Sequence, residues 1–268
     1  SFLLLAFSHG NEWGWNSWKT LSLLVAGCLI LAFFITWELK VESPLLQLKL
    51  FKCTRFTHSL IINCIVTISM YAGTLLIPLY LQNVLHLTPM DTGLIMLPGA
   101  IVMAAASPIV GHFYEKVGPF KLIISGIVLI VLSTGLLSEI SSGTAAIYIA
   151  VLQVFRCLGI ALCNMPLTNS GMSAVSKEYS GHASSITNWT RQGLASLSIG
   201  IFSSIVVVRS SHYLSTGNTN TTSATAMGIG DVFLIGTIIS IIAIPLTLLL
   251  RNKETKNVEI LEPSAIKK

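Results

Sequence analysis

The sequence predicts an all-α membrane protein, a bundle of spanning helices joined by short connections. Three observations predict it. Only 10% of the residues are charged and 53% are hydrophobic, with a mean hydropathy of +0.77, whereas soluble domains carry about 25% charged residues. The apolar residues fall in runs near the ~20 residues that a helix needs to cross a bilayer. The basic residues gather on alternate connections between those runs, and positive charge marks the cytoplasmic side. No alternating pattern of a transmembrane barrel is present, and helices are the other way to satisfy backbone polar groups in lipid.

Residues 1–8, SFLLLAFS, are apolar from the first position and read as the tail of one span, so the chain is expected to be part of a longer polypeptide. Seven complete spans follow at 20–37, 57–82, 92–114, 119–138, 144–174, 181–208 and 229–250. One side of the membrane receives the connections 38–56, 110–121, 175–182 and the tail from 251. The other receives 9–19, 83–91, 139–143 and 209–228. On the first side lie Lys40, Lys49, Lys52, Arg55, Lys116, Lys121, Lys177, Arg251, Lys253, Lys256, Lys267 and Lys268, and on the second only Lys19 and Arg209. The first side is therefore expected to be cytoplasmic, with the C-terminus on it, in a multi-pass protein of the plasma membrane. The net charge of +5 does not point to nucleic acid, because these residues edge apolar runs and form no soluble patch.

The span 57–82 carries a polar stripe of Asn63, Thr67, Tyr71, Thr74, Pro78 and Gln82. In 92–114, Ala100, Ala104, Ser107 and Gly111 form a small-residue stripe that would admit a close helix neighbour. The turn after it, VGHFYEKVGPFKL, sets Glu115 and Lys116 between Gly111 and Gly118, and Pro119 suits the first position of the next helix. In 144–174 the spacing Gln153, Arg156, Ile160, Asn164, Thr168 puts polar groups on one helical face. In 181–208, Asn188 and Arg191 share a face, and Gly193, Ser196, Gly200 and Ser203 form a second small stripe. Pro78, Pro98, Pro108, Pro166 and Pro245 lie inside spans, where each removes a backbone bond and can kink a helix. The outer connection 209–228 is polar, and its Asn220-Thr221-Thr222 fits a glycosylation sequon of a kind common by chance.

Arg156 and Arg191 stand deep in apolar runs. A charge at that depth costs at least ~2.5–3.5 kcal/mol and normally faces a bundle interior or a wet cavity. Three polar stripes on apolar helices suggest such a cavity; bonding between neighbouring helices is the plain alternative. All 11 acidic residues lie at span ends or in connections, so a coupling carboxylate for proton transport is expected outside this chain. The five cysteines, Cys28, Cys53, Cys64, Cys157 and Cys163, lack metal-ligand spacing and read as packing residues. No HExxH motif, intramembrane Asp pair or deep Ser/His pair supports an enzyme. A seven-span receptor fits the span count but not the apolar start, and the last span has no Lys for a retinal Schiff base.

Three stretches carry a resemblance. LIPLYLQNVLHLTPMDTGLIMLPGAIVMAAASPIVGHFYEKVG has a Pro-x-Tyr-Leu-Gln helix end, a Gly-Leu-x-x-x-Pro helix start and a glycine–acid–base turn. RCLGIALCNMPLTNSGMSAVSKEYSGHASSITNWTRQGLASLSIGI and ESPLLQLKLF follow the same order. Together they resemble the fourteen-span drug:proton antiporters of the major facilitator superfamily over most of residues 38–208.

The resemblance implies a six-helix bundle at 57–250, preceded by the end of one inter-domain helix and the whole of a second at 1–37. A cytoplasmic connection at 38–56 and a cytoplasmic tail at 251–268 complete the layout. This would be the C-terminal half of the protein, with the N-terminal half as its missing partner. It further implies export of hydrophobic or cationic compounds by alternating access, with small amphiphiles as substrates, the lipid bilayer as surroundings, a proton gradient as energy source and no cofactor. Gly111, Glu115, Lys116 and Gly118 would form a gating turn. Glu stands where the family has Asp, and Pro119-Phe120 precede a single Lys121. Arg156, Arg191, Gln153, Asn164, Asn188, Tyr71 and Gln82 would serve the cavity or its conformational changes. Gly159 lies one residue closer to Arg156 than in the family pattern, so no proton-relay role is carried over. A metabolite exporter, of an amino acid or a lipid precursor, remains the alternative.

Overall fold

The computed structural model describes residues 17–38, 47–217 and 220–254. Within them the chain runs α1 (Trp18–Glu38), a 3-10 turn (Leu48–Lys52), α2 (Thr54–Asn83), α3 (Pro89–Val117), α4 (Pro119–Leu137), α5 (Ala146–Met172), a second 3-10 turn (Lys177–Tyr179), α6 (Ser180–Ser215) and α7 (Thr221–Glu254). The helices α2 to α7 are long and apolar enough to cross a membrane; α1 carries a shorter apolar stretch, Trp18–Ile30. The described residues contain no strand. The expected tail of a preceding span at 1–8 lies outside the described residues, as do parts of the connection 38–56 and of the C-terminal tail.

Helix ends follow local chemistry. Thr88 caps α3 by accepting the Asp91 N–H at 3.2 Å and donates its hydroxyl to the Asp91 carboxylate at 2.7 Å, with Pro89 in the first turn. Gly118 ends α3 at φ +85°, a conformation that favours glycine, and Pro119 begins α4 directly. The connection expected at 110–121 is thus a single residue between helices. Nothing before Gly118 breaks the helix, so Glu115 and Lys116 belong to the last turn of α3.

The connection expected on the outer side also shrinks. Expected at 209–228, it is helical up to Ser215 and again from Thr221. The Asn220 side chain accepts the Thr222 N–H at 3.0 Å and caps α7. Ala224, Ala226 and Ile229 are fully buried, and burial there fixes a helix that the polar sequence concealed.

The bundle packs α5 most closely against α3 and α4, α7 against α2, α4 and α6, and α2 also against α5 and α6. Its core has three layers. One holds Leu76, Tyr80, Phe202, Ile229 and Phe233; the next holds Ile62, Ile127, Ile130, Ile160 and Leu167; the last holds Leu50, Phe56, Ala174 and Ile186. The buried Tyr80 hydroxyl donates to the backbone of Ser141 at 2.6 Å and Thr144 at 3.3 Å, tying α2 to the α4–α5 connection. Leu94, Ile101, Leu132, Ile147, Ile238 and Ile242 are exposed, as lipid-facing positions require.

A backbone-to-backbone helix crossing lies on neither expected small-residue stripe. A Cβ added to Gly126 of α4 would lie 2.6 Å from the Gly159 carbonyl oxygen, and one added to Gly159 of α5 would lie 2.7 Å from the Gly126 carbonyl. The two backbones therefore meet directly. Gly193 of the α6 stripe has open space beside it, while Gly111 of the α3 stripe rests on Met165 of α5, whose methyl would stand 3.1 Å from an added Cβ.

Candidate functional site

Arg156 is the largest fully buried side chain, 1% exposed. It stands ten residues into α5, about 15 Å along the helix axis. Gly73 stands ten residues from the other end of α2, so the two meet at a common depth. Here the guanidinium crosses onto α2 and donates to the Ser69 carbonyl at 3.3 Å and the Met70 carbonyl at 3.1 Å. It occupies the space that a side chain at position 73 would fill. A guanidinium stays charged under ordinary conditions, and carbonyl dipoles are what this chain supplies to compensate it. The Arg156 Nε–H and the Gln153 Oε1 are both buried without a hydrogen-bond partner among the described residues.

Arg156 and Gln153 line a cavity of about 260 Å³ between α2, α3 and α5. Met70 and Thr74 close it from α2, Gly93, Met96, Leu97, Ala100 and Met103 from α3, and Cys157 and Ile160 from α5. Gly99 admits the close approach of α3, since an added Cβ would lie 3.2 Å from the Gln153 and Cys157 side chains. No acidic side chain lines this space. A lining that is mostly apolar, with the polar residues Thr74, Gln153 and Arg156 among it, has the makeup of a small-molecule site. Three methionines give it an adaptable wall.

A second cavity of about 290 Å³ lies between α2, α6 and α7, lined by Asn83, Ser203, Ser210, Thr221 and Thr225 among aliphatic residues. It holds no charged group. Nearby, Arg209 of α6 pairs with Asp231 of α7 at 2.6 Å, and the Tyr213 hydroxyl donates to the same carboxylate oxygen at 2.9 Å.

The remaining expected site residues fall elsewhere. Asn164 and Tyr71 are half-buried outside the first cavity, and Gln82 is exposed near the end of α2. Arg191 is half-buried on α6 and Asn188 exposed; neither joins Arg156. In the expected gating turn, Lys116 makes a 3.2 Å contact with His112 one turn earlier, Gly111 touches Met165 and Gly118 forms the joint. The Glu115 side chain lies outside the described ones. Sequence reasoning missed Gly73 and the Met70, Met96 and Met103 wall. Cys157, read as packing, also borders the cavity. The i, i+3 spacing of Gln153 and Arg156 was the signal for the pair it did find.

Known proteins extend the picture. Residues 2–200 match the family model described as Major Facilitator Superfamily. The chain is 31% identical over 252 residues to the uncharacterized MFS-type transporter YcnB of Bacillus subtilis, covering 94% of this chain and 53% of that protein. It is 30% identical to the lincomycin resistance protein LmrB of Listeria monocytogenes, covering 93% of this chain and 54% of that protein. It is 31% identical to the multidrug resistance protein Stp of Mycobacterium tuberculosis, over 76% of this chain and 38% of that protein. The chain thus spans about half the length of the first two of these relatives. With its apolar helices and this extent of matching, the polypeptide is a multi-pass membrane protein and belongs to the major facilitator superfamily.

Proposed function

We propose that the full-length protein exports hydrophobic or cationic drugs by alternating access, driven by a proton gradient, and that this chain is its C-terminal half. The observation that carries the proposal is the mid-depth cavity between α2, α3 and α5, apolar and methionine-walled around a buried arginine. Relatives named for lincomycin and multidrug resistance support drug as the cargo. The order of motifs shared with the fourteen-span branch supports the placement in the second half.

Rocking of two bundles about a midplane site gives alternate access to the two sides of a membrane. In such a machine the carbonyl clamp of Arg156 would hold α2 and α5 together while other contacts open and close. The coupling carboxylate would lie outside this chain: its acidic residues sit at helix ends and connections except Asp231, which stands ten residues into α7 and is engaged by Arg209 and Tyr213.

Expression of the full-length protein in a drug-sensitive, efflux-deficient bacterium tests the reading. Ethidium and chloramphenicol accumulation should fall, and a protonophore should restore it. Accumulation equal to that of cells without the protein would refute drug export. A fall that survives collapse of the proton gradient would refute the energy source.

A further inference from the structure

We propose that Arg191 of α6 is the counter-charge of a side-chain carboxylate carried by the rest of the full-length polypeptide, and that this pair holds the coupling carboxylate ionised. The inference rests on the export reading above and names the residue of this half that the coupling group meets.

Depth comes first. Ile186 of α6 lies in the last core layer and Phe202 in the first. Arg191 stands five residues past Ile186, about 8 Å along the axis, which sets it level with the middle layer. That layer draws its buried residues from α2, α4, α5 and α7, and none from α6. Where α6 leaves the core it turns polar: Asn188 and Gln192 are exposed, and Arg191 and Ser196 half-buried. Charged and polar side chains at this depth face protein or enclosed water rather than lipid. This stretch of α6 is therefore a contact surface for something beyond these helices.

Charge comes second. Arg191 has no hydrogen bond or ion pair among the described residues. Arg156, by contrast, is clamped by two carbonyls, and Arg209 is paired with Asp231. A guanidinium keeps its charge, and one without compensation inside a membrane is costly. The elements packed against α6 supply no acid at this level. The helices α2 and α5 contain none, and α2 offers only Cys64 and Tyr71 as titratable neighbours there. In α7, Asp231 is held by Arg209 eighteen residues along α6, about 27 Å away, and Glu254 is the last residue. Glu178 lies in the 3-10 turn before α6, thirteen residues back. The chain spans about half the length of its relatives, so the rest of the polypeptide is the source of the opposite charge. An arginine beside a carboxylate favours the charged form of the acid and lowers the pH at which it takes a proton.

The full-length Arg191→Lys variant in lipid nanodiscs places a primary amine at this position. Dicyclohexylcarbodiimide enters bilayers and activates carboxyl groups. An amine within reach then forms an amide with the activated carboxyl, and dicyclohexylurea leaves. Digestion and mass spectrometry should find position 191 joined to an Asp or Glu outside the present sequence. Ethidium binding to the same protein, followed by fluorescence polarisation against pH, is the second measurement. Its midpoint should rise by about one pH unit in Arg191→Gln, because loss of the cation lets the carboxylate take its proton more easily. Arg191→Lys should restore the original midpoint. An arginine that served packing alone would weaken binding at every pH and leave the midpoint fixed.

An amide to Glu178, Glu254 or any other acid of this chain would overturn the proposal. So would no amide at all, the result expected if Arg191 merely reached a lipid phosphate. A midpoint unmoved in Arg191→Gln would also overturn it. Cells that export nothing would defeat the transport reading, while the site of the amide would still judge the pairing.

Discussion

A methyl group at position 73 would have to displace the Arg156 guanidinium, and the guanidinium cannot yield without losing its bonds to Ser69 and Met70. Gly73→Ala should therefore destabilise the bundle by about 1–3 kcal/mol, the cost of leaving a buried polar group unsatisfied. Gly193→Ala, which meets open space, should change it by no more than about 0.5 kcal/mol. Melting of the two purified variants in the same detergent checks the contrast; equal melting temperatures would remove the clamp from the account. At this scale the sequence was half legible. Arg156 announces itself, because a charge in an apolar run needs a reason. Gly73 is silent, because its reason is a side chain carried by another helix.

Each helix was legible from the length of its apolar run, and its ends only roughly. Composition shows where a chain leaves lipid but not where its hydrogen-bond ladder stops, so α6 and α7 both run past their apolar segments into the polar connection. Which helices touch was less legible still. A small residue permits close approach without saying who approaches. The stripe ending in Gly193–Ser203 looked like an interface, while the backbones that meet belong to Gly126 and Gly159. Alanine at either of these should push α4 and α5 apart and cost about 1–3 kcal/mol, as overpacking does. At Gly111 the obstacle is only the end of the flexible Met165 side chain, so Gly111→Ala should cost less. Thermal melting ranks the three, and a Gly111 variant that proved the worst would contradict this picture of the crossing.

For the whole molecule, the distribution of basic residues predicts that the turn at Lys116 and the lysines at the C-terminus share the cytoplasmic side. Single cysteines at positions 116 and 268, probed in intact cells with a membrane-impermeant thiol reagent, should both stay unlabelled until the cells are opened. Labelling of just one in intact cells would break the topology. This prediction draws on the sequence alone, because lysine and arginine sort by side whatever the packing. The polar stripes suggested a cavity but not its walls, which exist only where three particular helices leave a gap. On the other side, Arg209 and Tyr213 of α6 grip one carboxylate oxygen of Asp231 on α7, above a long seam where the two helices lie together. The covalent link between Gly217 and Asn220 is thus duplicated by a noncovalent staple. A polypeptide severed at that point would keep its last helix docked, and that hairpin tip is where a peptide tag could be spliced in with least harm to the barrel of helices beneath.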